Sequence, residues 1–318
     1  MRLLREENIK MVDFDAIVIG AGPAGITAGI YLARAGRKSV IIEAGVPGGQ
    51  VFINHAVENY PGFPQAISGS ELASMMEKQA ARFGVEIKNF PISKITKLKD
   101  GTFELEAFSK KFTAKAVILA TGSKSKPLGV PGEERLFGAG VSYCSTCDGM
   151  FFKGKDVVVI GGGNSALHGA EYLERICNSV TLIHRRDEFR GDKILVERLR
   201  TEAKVKFLLS NDVFEIFGDK KVEGLKTKSI KTGKESLLKC DGVFIYVGSE
   251  PQNTLVKDLV KLDEYGYVIT GKDMSTSLEG LYAAGDVVQK SYRQIVTAVA
   301  DGCIAALSVD KFIALLSR

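Results

Sequence analysis

The pair Cys144 and Cys147, followed by Asp148, is the strongest candidate for redox chemistry in this sequence of 318 residues. Two cysteines separated by two residues can form a disulfide, and a neighbouring carboxyl group could carry protons to and from a thiol. A structural zinc site needs four ligands, and the sequence contains no second C-x-x-C motif and no Cys/His pair to supply the other two. The residues therefore favour a redox dithiol served by a flavin and predict no metal site. Inert core cysteines and a thioredoxin-type fold stay open as alternatives.

A glycine-rich segment, GAGPAG at residues 20–25, has the spacing of a loop that binds the pyrophosphate of a dinucleotide. Its first glycine permits a tight turn, its second lets the backbone approach the pyrophosphate, and its third lets a helix pack on a strand. Glu43 ends the next apolar segment, where a carboxylate can accept hydrogen bonds from an adenosine ribose. A purely structural turn is the alternative, but this context predicts a site for an adenosine with a free 2′-hydroxyl.

A second loop, GGGNSA at residues 161–166, has no acid at the corresponding position and is followed instead by HRRDEFR at residues 184–190. Cations there would suit a ribose 2′-phosphate, since arginine offers several planar donors. An exposed basic helix start is the alternative. The second loop therefore predicts NADPH, held by Gly163, Asn164, Ser165, Ala166, His184, Arg185, Arg186 and Arg190.

Both loops must be positioned by a buried strand, a helix and a second strand, which is the order of a βαβ unit. For the first loop the sequence predicts a strand at Phe14–Gly20, a helix at 23–35 and a strand at Ser39–Glu43. For the second it predicts a strand at Asp156–Ile160, a helix to about Cys177 and a strand at Val180–His184. This internal duplication predicts an α/β fold with parallel sheets.

Other segments predict smaller elements between and after the two units. Residues 92–120 predict a small antiparallel insert, with 110–114 and 116–122 as separate strands. Residues 205–250 predict a similar series of short strands. Residues 281–286 predict a strand before a helix rich in alanine and valine.

Composition restricts the class of protein. The length suggests two domains, and 45% hydrophobic with 25% charged residues excludes disordered and fibrous chains. Lys and Arg are spread along the chain, so nucleic acid is not an expected partner, and five cysteines do not form a disulfide scaffold. Residues 1–13 predict a loose extension without a signal peptide. The 18 uncharged residues Ala16–Ala33 contain several glycines and predict a strand, turn and helix, not a membrane span. We therefore expect a cytoplasmic protein.

These segments resemble, in order and spacing, the low-molecular-weight thioredoxin reductases from Asp15 to the C terminus. Further matching segments are GGQ (48–50), ENYPGF (58–63), ATG (120–122), CSTCDG (144–149), AAGD (283–286) and YRQ (292–294). The resemblance implies a homodimer with two Rossmann-like dinucleotide-binding domains of the three-layer ββα type, the second inserted in the first. It implies an FAD domain of residues 1–125 and 251–318, and an NAD(P)H domain of residues 126–250 that carries the cysteines.

The resemblance also implies which residues hold FAD. Glu43 would bind the adenosine ribose, and Gly285 and Asp286 would hold the ribityl and phosphate region. The residues near the isoalloxazine would be Gly49, Gln50, Asn59, Arg293 and Gln294. The complete set is Gly20, Gly22, Pro23, Ala24, Glu43, Gly49, Gln50, Asn59, Ala120, Thr121, Gly122, Gly285, Asp286, Arg293, Gln294 and Ile295.

The implied reaction passes electrons from NADPH through FAD to Cys144–Cys147, and then to the disulfide of thioredoxin or a similar small dithiol protein. Cys147 would lie closest to the flavin, Asp148 would donate and accept protons, and the inserted domain would rotate between two arrangements. Two alternatives are an FAD-dependent reductase with another electron donor or carrier, and a nonenzymatic flavin redox sensor. Because His168 and Gly169 stand where the family usually has two acids, NADH or another donor is possible.

Overall fold

The computed structural model describes residues 12–52, 54, 56–108 and 110–316. The strands are β1 (Phe14–Ile19), β2 (Ser39–Glu43), β3 (Glu86–Asn89), β4 (Lys94–Lys97), β5 (Phe103–Ala107), β6 (Lys110–Leu119), β7 (Ser123–Ser125), β8 (Val141–Ser142), β9 (Asp156–Gly161), β10 (Ser179–His184), β11 (Val205–Leu209), β12 (Asn211–Phe217), β13 (Gly224–Ser229), β14 (Glu235–Lys239), β15 (Gly242–Tyr246), β16 (Ser249–Pro251) and β17 (Leu281–Ala283). The helices are α1 (Pro23–Arg34), α2 (Gly69–Arg82), α3 (Ser145–Asp148), α4 (Asn164–Glu174), α5 (Lys193–Thr201) and α6 (Ile295–Leu316).

The chain divides into two compact units. Unit 1 comprises residues up to Lys124 together with those from Pro251 onward, and unit 2 comprises Ser125–Glu250. The predicted N-terminal extension lies outside the described residues up to position 11. Asp13 is not loose, because its carboxylate accepts the Thr113 N–H at 2.8 Å.

Unit 1 contains one mixed sheet in the order β3-β2-β1-β6-β5-β4, with β17 also paired to β6. The prediction of two separate strands between residues 110 and 122 is wrong, since β6 is a single strand of ten residues. Its first half pairs antiparallel with β5 and its second half pairs parallel with β1. No glycine or proline interrupts Lys110–Leu119, so the backbone can continue from one pairing into the other.

The central strand β1 is buried on both faces, which explains its continuous apolar sequence. Ala16 and Val18 face a cluster formed with α1, α2 and α6, whereas Ile17 and Ile19 face a cluster on the other side of the sheet. Helix α6 approaches α1 closely at Gly302, where an added Cβ atom would lie 2.1 Å from the carbonyl oxygen of Ala24.

Unit 2 has three layers. A parallel sheet in the order β11-β10-β9-β15-β8 lies between helices α4 and α5 and the antiparallel sheet β12-β13-β14. Alternate residues of β9 face the two sides, Val157 and Val159 toward the helices and Val158 and Ile160 toward the antiparallel sheet. The predicted α/β class with duplicated Rossmann-like units is confirmed. Helix α4 ends at Glu174, before the predicted end at Cys177, and β14 was not predicted.

Strands β7 and β16 pair as a separate two-stranded sheet. The predicted strand, turn and helix within Ala16–Ala33 are confirmed by β1 and α1. In the described part of the chain, no helix has both the length and the apolar character that crossing a membrane requires.

Candidate functional site

The first glycine loop connects β1 to α1 at the carboxyl end of the parallel strands. Gly20 has φ +106°, and a Cβ atom there would lie 2.4 Å from the carbonyl oxygen of Ala120. Gly22 caps α1 without a side-chain hydrogen bond, and a Cβ atom there would meet nothing within 4 Å. The first turn of α1, which begins with Pro23 and Ala24, contains no acidic residue. Backbone N–H groups and open space at this helix N terminus suit a phosphate group.

Glu43 lies at the rim of this loop, as the position of β2 requires. One carboxylate oxygen, Oε2, accepts the Ala21 N–H at 2.6 Å, and the other, Oε1, accepts the Gly45 N–H at 2.8 Å. Each oxygen of a carboxylate has a second acceptor site. Glu43 therefore holds the loop in place and can still accept hydrogen bonds from ribose hydroxyls.

The GGQ segment folds directly onto the first glycine loop. The Gly48 N–H donates to the Ala21 carbonyl at 2.7 Å, and a Cβ atom at Gly49 would lie 3.2 Å from Gly22 Cα. Gln50 follows Gly49 in a single 3-10 turn. These contacts place the predicted flavin-side residues 49 and 50 beside the predicted pyrophosphate site.

A third segment reaches the same edge of unit 1 from the start of α6. The Asn59 side-chain amide donates to Gln294 Oε1 at 3.2 Å, so two predicted flavin-side residues contact each other. Arg293 lies with its guanidinium carbon 3.9 Å from the centroid of the Tyr267 ring, and its Nε atom is buried without a hydrogen-bond partner in the described residues. Ile295 begins α6.

Asp286 supplies a buried acceptor near the first loop. Its Oδ1 atom has no hydrogen-bond partner among the described residues, although Lys290 Nζ lies 3.2 Å away. Burial raises the pKa of Asp286, and the charge of Lys290 opposes that shift. The preceding Gly285 has φ +80°, and its N–H donates to Asp301 Oδ2 at 3.2 Å.

Lys290 and Asp301 were missed by sequence reasoning. Lys290 donates to Asp301 Oδ2 at 2.8 Å, and both side chains are only 14% exposed. Asp301, one of two acids in the apolar sequence of α6, was the available signal, because a buried charge in such a helix requires a partner.

The ATG segment closes the floor of the first loop. The Ala120 N–H donates to the Ile19 carbonyl at 2.7 Å, and Thr121 Oγ1 donates to the Gln252 carbonyl at 2.6 Å. Gly122 has φ +72°, and a Cβ atom there would meet nothing within 4 Å. The structure thus brings Glu43, Gly49, Ala120 and Gly285 against the first loop, and it pairs Asn59 with Gln294. The open helix terminus and the Asp286 carboxylate fit an adenine dinucleotide that carries a hydroxyl-bearing chain.

The second glycine loop connects β9 to α4 in the same manner. The N–H groups of Arg190 and Gly191 donate to the Gly162 carbonyl at 2.7 and 3.1 Å, so the arginine segment folds back onto the loop. The Asn164 side-chain amide donates to Asp192 Oδ2 at 3.1 Å, and the Asp192 N–H donates to Asn164 Oδ1 at 2.7 Å. Ser165 and Ala166 follow in the first turn of α4.

His184 and the arginines after it occupy different environments. The imidazole is buried, stacks on Phe189 with centroids 5.5 Å apart, and lies where a Cβ atom at Gly162 would be 2.4 Å from its Nε2 atom. Burial and the charges of the arginines at 190, 186 and 185 lower its pKa, so the ring is neutral near pH 7. Arg185, Arg186 and Arg190 are exposed, and within the described residues no carboxylate pairs with them.

The two cysteines of the Cys144 segment form a disulfide, Cys144–Cys147, with Cα atoms 5.3 Å apart. Cys144 caps the short helix α3, and its Sγ atom accepts the Cys147 N–H at 3.2 Å. Asp148 Oδ2 accepts a hydrogen bond of 2.6 Å from Ser142 Oγ, and the same Oγ accepts the Cys144 N–H at 3.0 Å. The structure thus places a carboxyl group and a disulfide in one turn.

The two residues that differ from the usual family pattern after the second loop, His168 and Gly169, make different contacts. His168 is 60% exposed, with Nδ1 3.6 Å from Glu171 Oε2. Glu171 forms an ion pair with Arg198 of α5, which lowers the pKa of that carboxyl. Gly169 faces the ring of Tyr246, because a Cβ atom at Gly169 would lie 2.8 Å from its Cε2 atom.

The other three cysteines differ from the disulfide pair. Burial raises the pKa of Cys177 to about 11 and that of Cys240 to about 12, so both thiols stay protonated. Cys303 is only half-buried. Among the described residues, no three His, Cys, Asp or Glu side chains are arranged to hold a metal ion.

Comparisons with known proteins agree with this geometry. The sequence profile of the pyridine nucleotide-disulphide oxidoreductase family matches residues 14–302. A thioredoxin reductase of Mycolicibacterium smegmatis is 45% identical over 94% of this chain and 96% of its own length. A bifunctional thioredoxin reductase/thioredoxin of Mycobacterium leprae is 44% identical over 94% of this chain and 66% of its own. The crystal structure of thioredoxin reductase from Streptococcus pyogenes MGAS5005 is 44% identical and superimposes with a TM-score of 0.89 over 96% of this chain and 99% of that one.

Proposed function

The chain belongs to the pyridine nucleotide-disulphide oxidoreductase family, among its thioredoxin reductases, and we propose that it uses NADPH to reduce the disulfide of a thioredoxin. One observation carries the proposal: a disulfide and a carboxyl group share the turn Cys144–Asp148, in the same unit as the second glycine loop. The Mycobacterium leprae relative, whose name joins both activities in one chain, supports thioredoxin as the partner.

FAD is the proposed electron carrier, held in unit 1. The N terminus of α1 over Gly22 would take the pyrophosphate, Glu43 would accept ribose hydroxyls, and Asp286 would accept ribityl hydroxyls. When bound, FAD would supply the two-electron chemistry that connects a nicotinamide to a disulfide.

NADPH is the proposed donor, held in unit 2. The exposed guanidinium groups of Arg185 and Arg186 support this choice, because two planar cations can bind a 2′-phosphate with several charge-assisted hydrogen bonds. Neutral His184 would hold the second glycine loop in place by packing against Gly162.

Disulfide exchange would be carried out by the reduced pair Cys144 and Cys147. A thiolate of the pair attacks one sulfur of the thioredoxin disulfide, which forms a mixed disulfide and releases the other thioredoxin sulfur as a thiolate. The second cysteine then attacks the mixed disulfide, so the pair ends oxidised and thioredoxin ends as a dithiol. Asp148 gives a proton to a leaving thiolate and later regains one from water.

The test is an anaerobic titration of the purified holoenzyme with NADPH or NADH, followed by oxidised thioredoxin. We expect NADPH to bleach the flavin absorbance and thioredoxin to restore it. A nonenzymatic flavin sensor would bleach without recovering its colour on addition of thioredoxin. A protein that cannot be reconstituted with FAD would contradict the whole proposal.

Serine variants separate the steps. Cys144→Ser and Cys147→Ser should each abolish thioredoxin reduction while FAD stays bound, because only the disulfide exchange requires both sulfurs. Cys177→Ser is the matched control, since that thiol is buried and protonated. Undiminished reduction in both active-pair variants would remove their catalytic role. A homodimer and a cytoplasmic location remain predictions, which mass measurement and fractionation can check.

A further inference from the structure

Ser142 is a buried hydroxyl at the centre of the disulfide turn, and the reaction proposed above does not use it. It ends β8 and is 2% exposed. Its Oγ atom lies 2.6 Å from Asp148 Oδ2, 3.0 Å from the Cys144 nitrogen and 3.3 Å from the Cys144 carbonyl oxygen. One side chain therefore contacts both the carboxyl group and the backbone of a reactive cysteine.

The number of partners around this hydroxyl matches what a serine can use. A hydroxyl has one proton to donate and two lone pairs that accept. With Asp148 ionised, Ser142 donates to its carboxylate and accepts the Cys144 N–H. With Asp148 protonated, the carboxyl O–H can donate to Ser142, and the serine proton can turn to the Cys144 carbonyl. Rotation of the Ser142 hydroxyl hydrogen therefore satisfies the hydrogen bonds in both protonation states of Asp148.

We propose that Ser142 is a positioning residue for Asp148, which holds the carboxyl group beside the disulfide and transmits its protonation state to the backbone of Cys144. This rests on the proposed function, in which Asp148 moves protons during disulfide exchange. When Asp148 gives its proton to a leaving thiolate, an O–H bond breaks and an S–H bond forms. The Ser142 proton then turns from the Cys144 carbonyl to the new carboxylate.

Among the described residues, β15 and α4 pack against this turn. Burial, together with the nearby Asp148 charge, raises the pKa of Tyr246 of β15, so it remains a neutral phenol. Tyr172 of α4 packs against the following Gly149, where a Cβ atom would lie 2.9 Å from its ring. His168 and Glu171 of α4 face each other, and Glu171 also faces α5. The reduced cysteines titrate in the same turn as Asp148.

Tyr246 provides a matched control. Its hydroxyl accepts the Ser145 N–H at 2.6 Å, so Tyr246→Phe also removes a hydroxyl hydrogen bond from this turn. The Tyr246 hydroxyl thus bonds to Ser145, whereas the Ser142 hydroxyl bonds to Asp148. A purely structural role for Ser142 would give the two variants the same behaviour.

The experiment measures the pH dependence of thioredoxin reduction by the FAD holoenzymes of wild type, Ser142→Ala, Ser142→Thr and Tyr246→Phe. Loss of the serine donor raises the pKa of the carboxyl group, so the limb assigned to Asp148 should move upward by about one pH unit in Ser142→Ala. The rate should fall about tenfold. Ser142→Thr should restore most of both, and Tyr246→Phe should keep the wild-type profile. Equal shifts in Ser142→Ala and Tyr246→Phe, or no shift in either, would overturn the proposal.

An infrared titration of the oxidised holoenzymes makes the test independent of thioredoxin. The carboxyl band lost in Asp148→Asn identifies Asp148, and its midpoint should be higher in Ser142→Ala than in wild type. If thioredoxin is not reduced but this midpoint shifts, the proposed function fails and the positioning role stands. An unchanged midpoint in an enzyme that reduces thioredoxin contradicts the positioning role alone.

Discussion

At the scale of residues, the neutral His184 ring and the arginines that follow it in sequence lie in different environments of unit 2. His184 is buried beneath the second glycine loop, whereas Arg185, Arg186 and Arg190 are exposed around it. The strand β10 ends at His184, so the arginines occupy irregular backbone that extends beyond the sheet. Position relative to the strand end therefore decides which side chain supports the loop and which can contact a ligand.

Removing the cations should change which nucleotide is bound. Replacing Arg185 and Arg186 together by alanine should weaken NADPH binding by about 100-fold or more, because each charged hydrogen bond to a phosphate contributes about 1.5–3 kcal/mol and about 1.4 kcal/mol corresponds to a factor of ten. NADH has no 2′-phosphate, so its affinity should change little. Isothermal titration of both nucleotides measures the two constants, with Lys234→Ala as an exposed basic control. Equal losses for NADPH and NADH would contradict a phosphate role.

The buried His184 should make stability depend on pH. Its pKa is lowered in the folded chain, so the unfolded chain binds the proton more tightly. The stabilisation is present above the ordinary histidine pKa of about 6.5 and is lost as the pH falls below it. His184→Phe keeps a ring to stack on Phe189 and should flatten this dependence in urea unfolding measured at several pH values. The same change at exposed His168 should leave it as in wild type, and equal slopes in all three proteins would refute the assignment.

At the scale of elements, α4 and β15 approach each other because Gly169 has no side chain. The Tyr246 ring lies across that position, and its hydroxyl reaches the backbone of Ser145 beside the disulfide. Helix, strand and redox turn are therefore joined through one aromatic side chain. The absence of an acid at position 169 thus has a packing explanation.

A methyl group at this contact should destabilise the protein. Gly169→Ala introduces a Cβ atom 2.8 Å from the Tyr246 ring, and such overpacking costs about 1–3 kcal/mol. In a Tyr246→Leu background the same change should be neutral or stabilising, since alanine exceeds glycine in helix propensity by about 1 kcal/mol. Denaturant unfolding of the four proteins measures the difference. Equal destabilisation in both backgrounds would show that the ring is not the cause.

At the scale of the whole molecule, unit 2 is one continuous stretch of chain, whereas unit 1 is made of two. Each unit has its own pair of hydrophobic clusters on the two faces of its main sheet. A continuous segment with a core of its own and of about this length can fold independently. The proposed nucleotide and disulfide chemistry of unit 2 therefore does not require unit 1 for its structure.

An isolated fragment of residues 125–250 should accordingly fold and bind NADPH without binding FAD. Circular dichroism and cooperative unfolding would check the fold, and titration with NADPH would check the site. The Arg185→Ala/Arg186→Ala variant of the fragment is the control for specific binding. A folded fragment that binds FAD and not NADPH would reverse the proposed roles of the two units.

Local sequence was sufficient for the elements around the glycine loops. The strands β1, β2, β9 and β10 are short apolar segments that end at or just before Gly20, Glu43, Gly161 and His184, and α1 begins at a proline. These signals depend only on neighbouring residues, so they could be recognised without a structure. The division of β6 failed because one strand changes its pairing from antiparallel to parallel, which no local pattern records.

Contiguous motifs are enough to predict the two glycine loops, the arginines after the second loop and the order Cys144, Cys147, Asp148 without a structure. The side chains that complete these motifs are seen only in the folded chain. Ser142 reaches Asp148, Tyr246 reaches Ser145 from a strand far along the chain, and Lys290 and Asp301 pair beside Asp286. Hydrogen bonds are short and directional, so such partners depend on how strands and helices are brought together in space and not on their spacing in sequence.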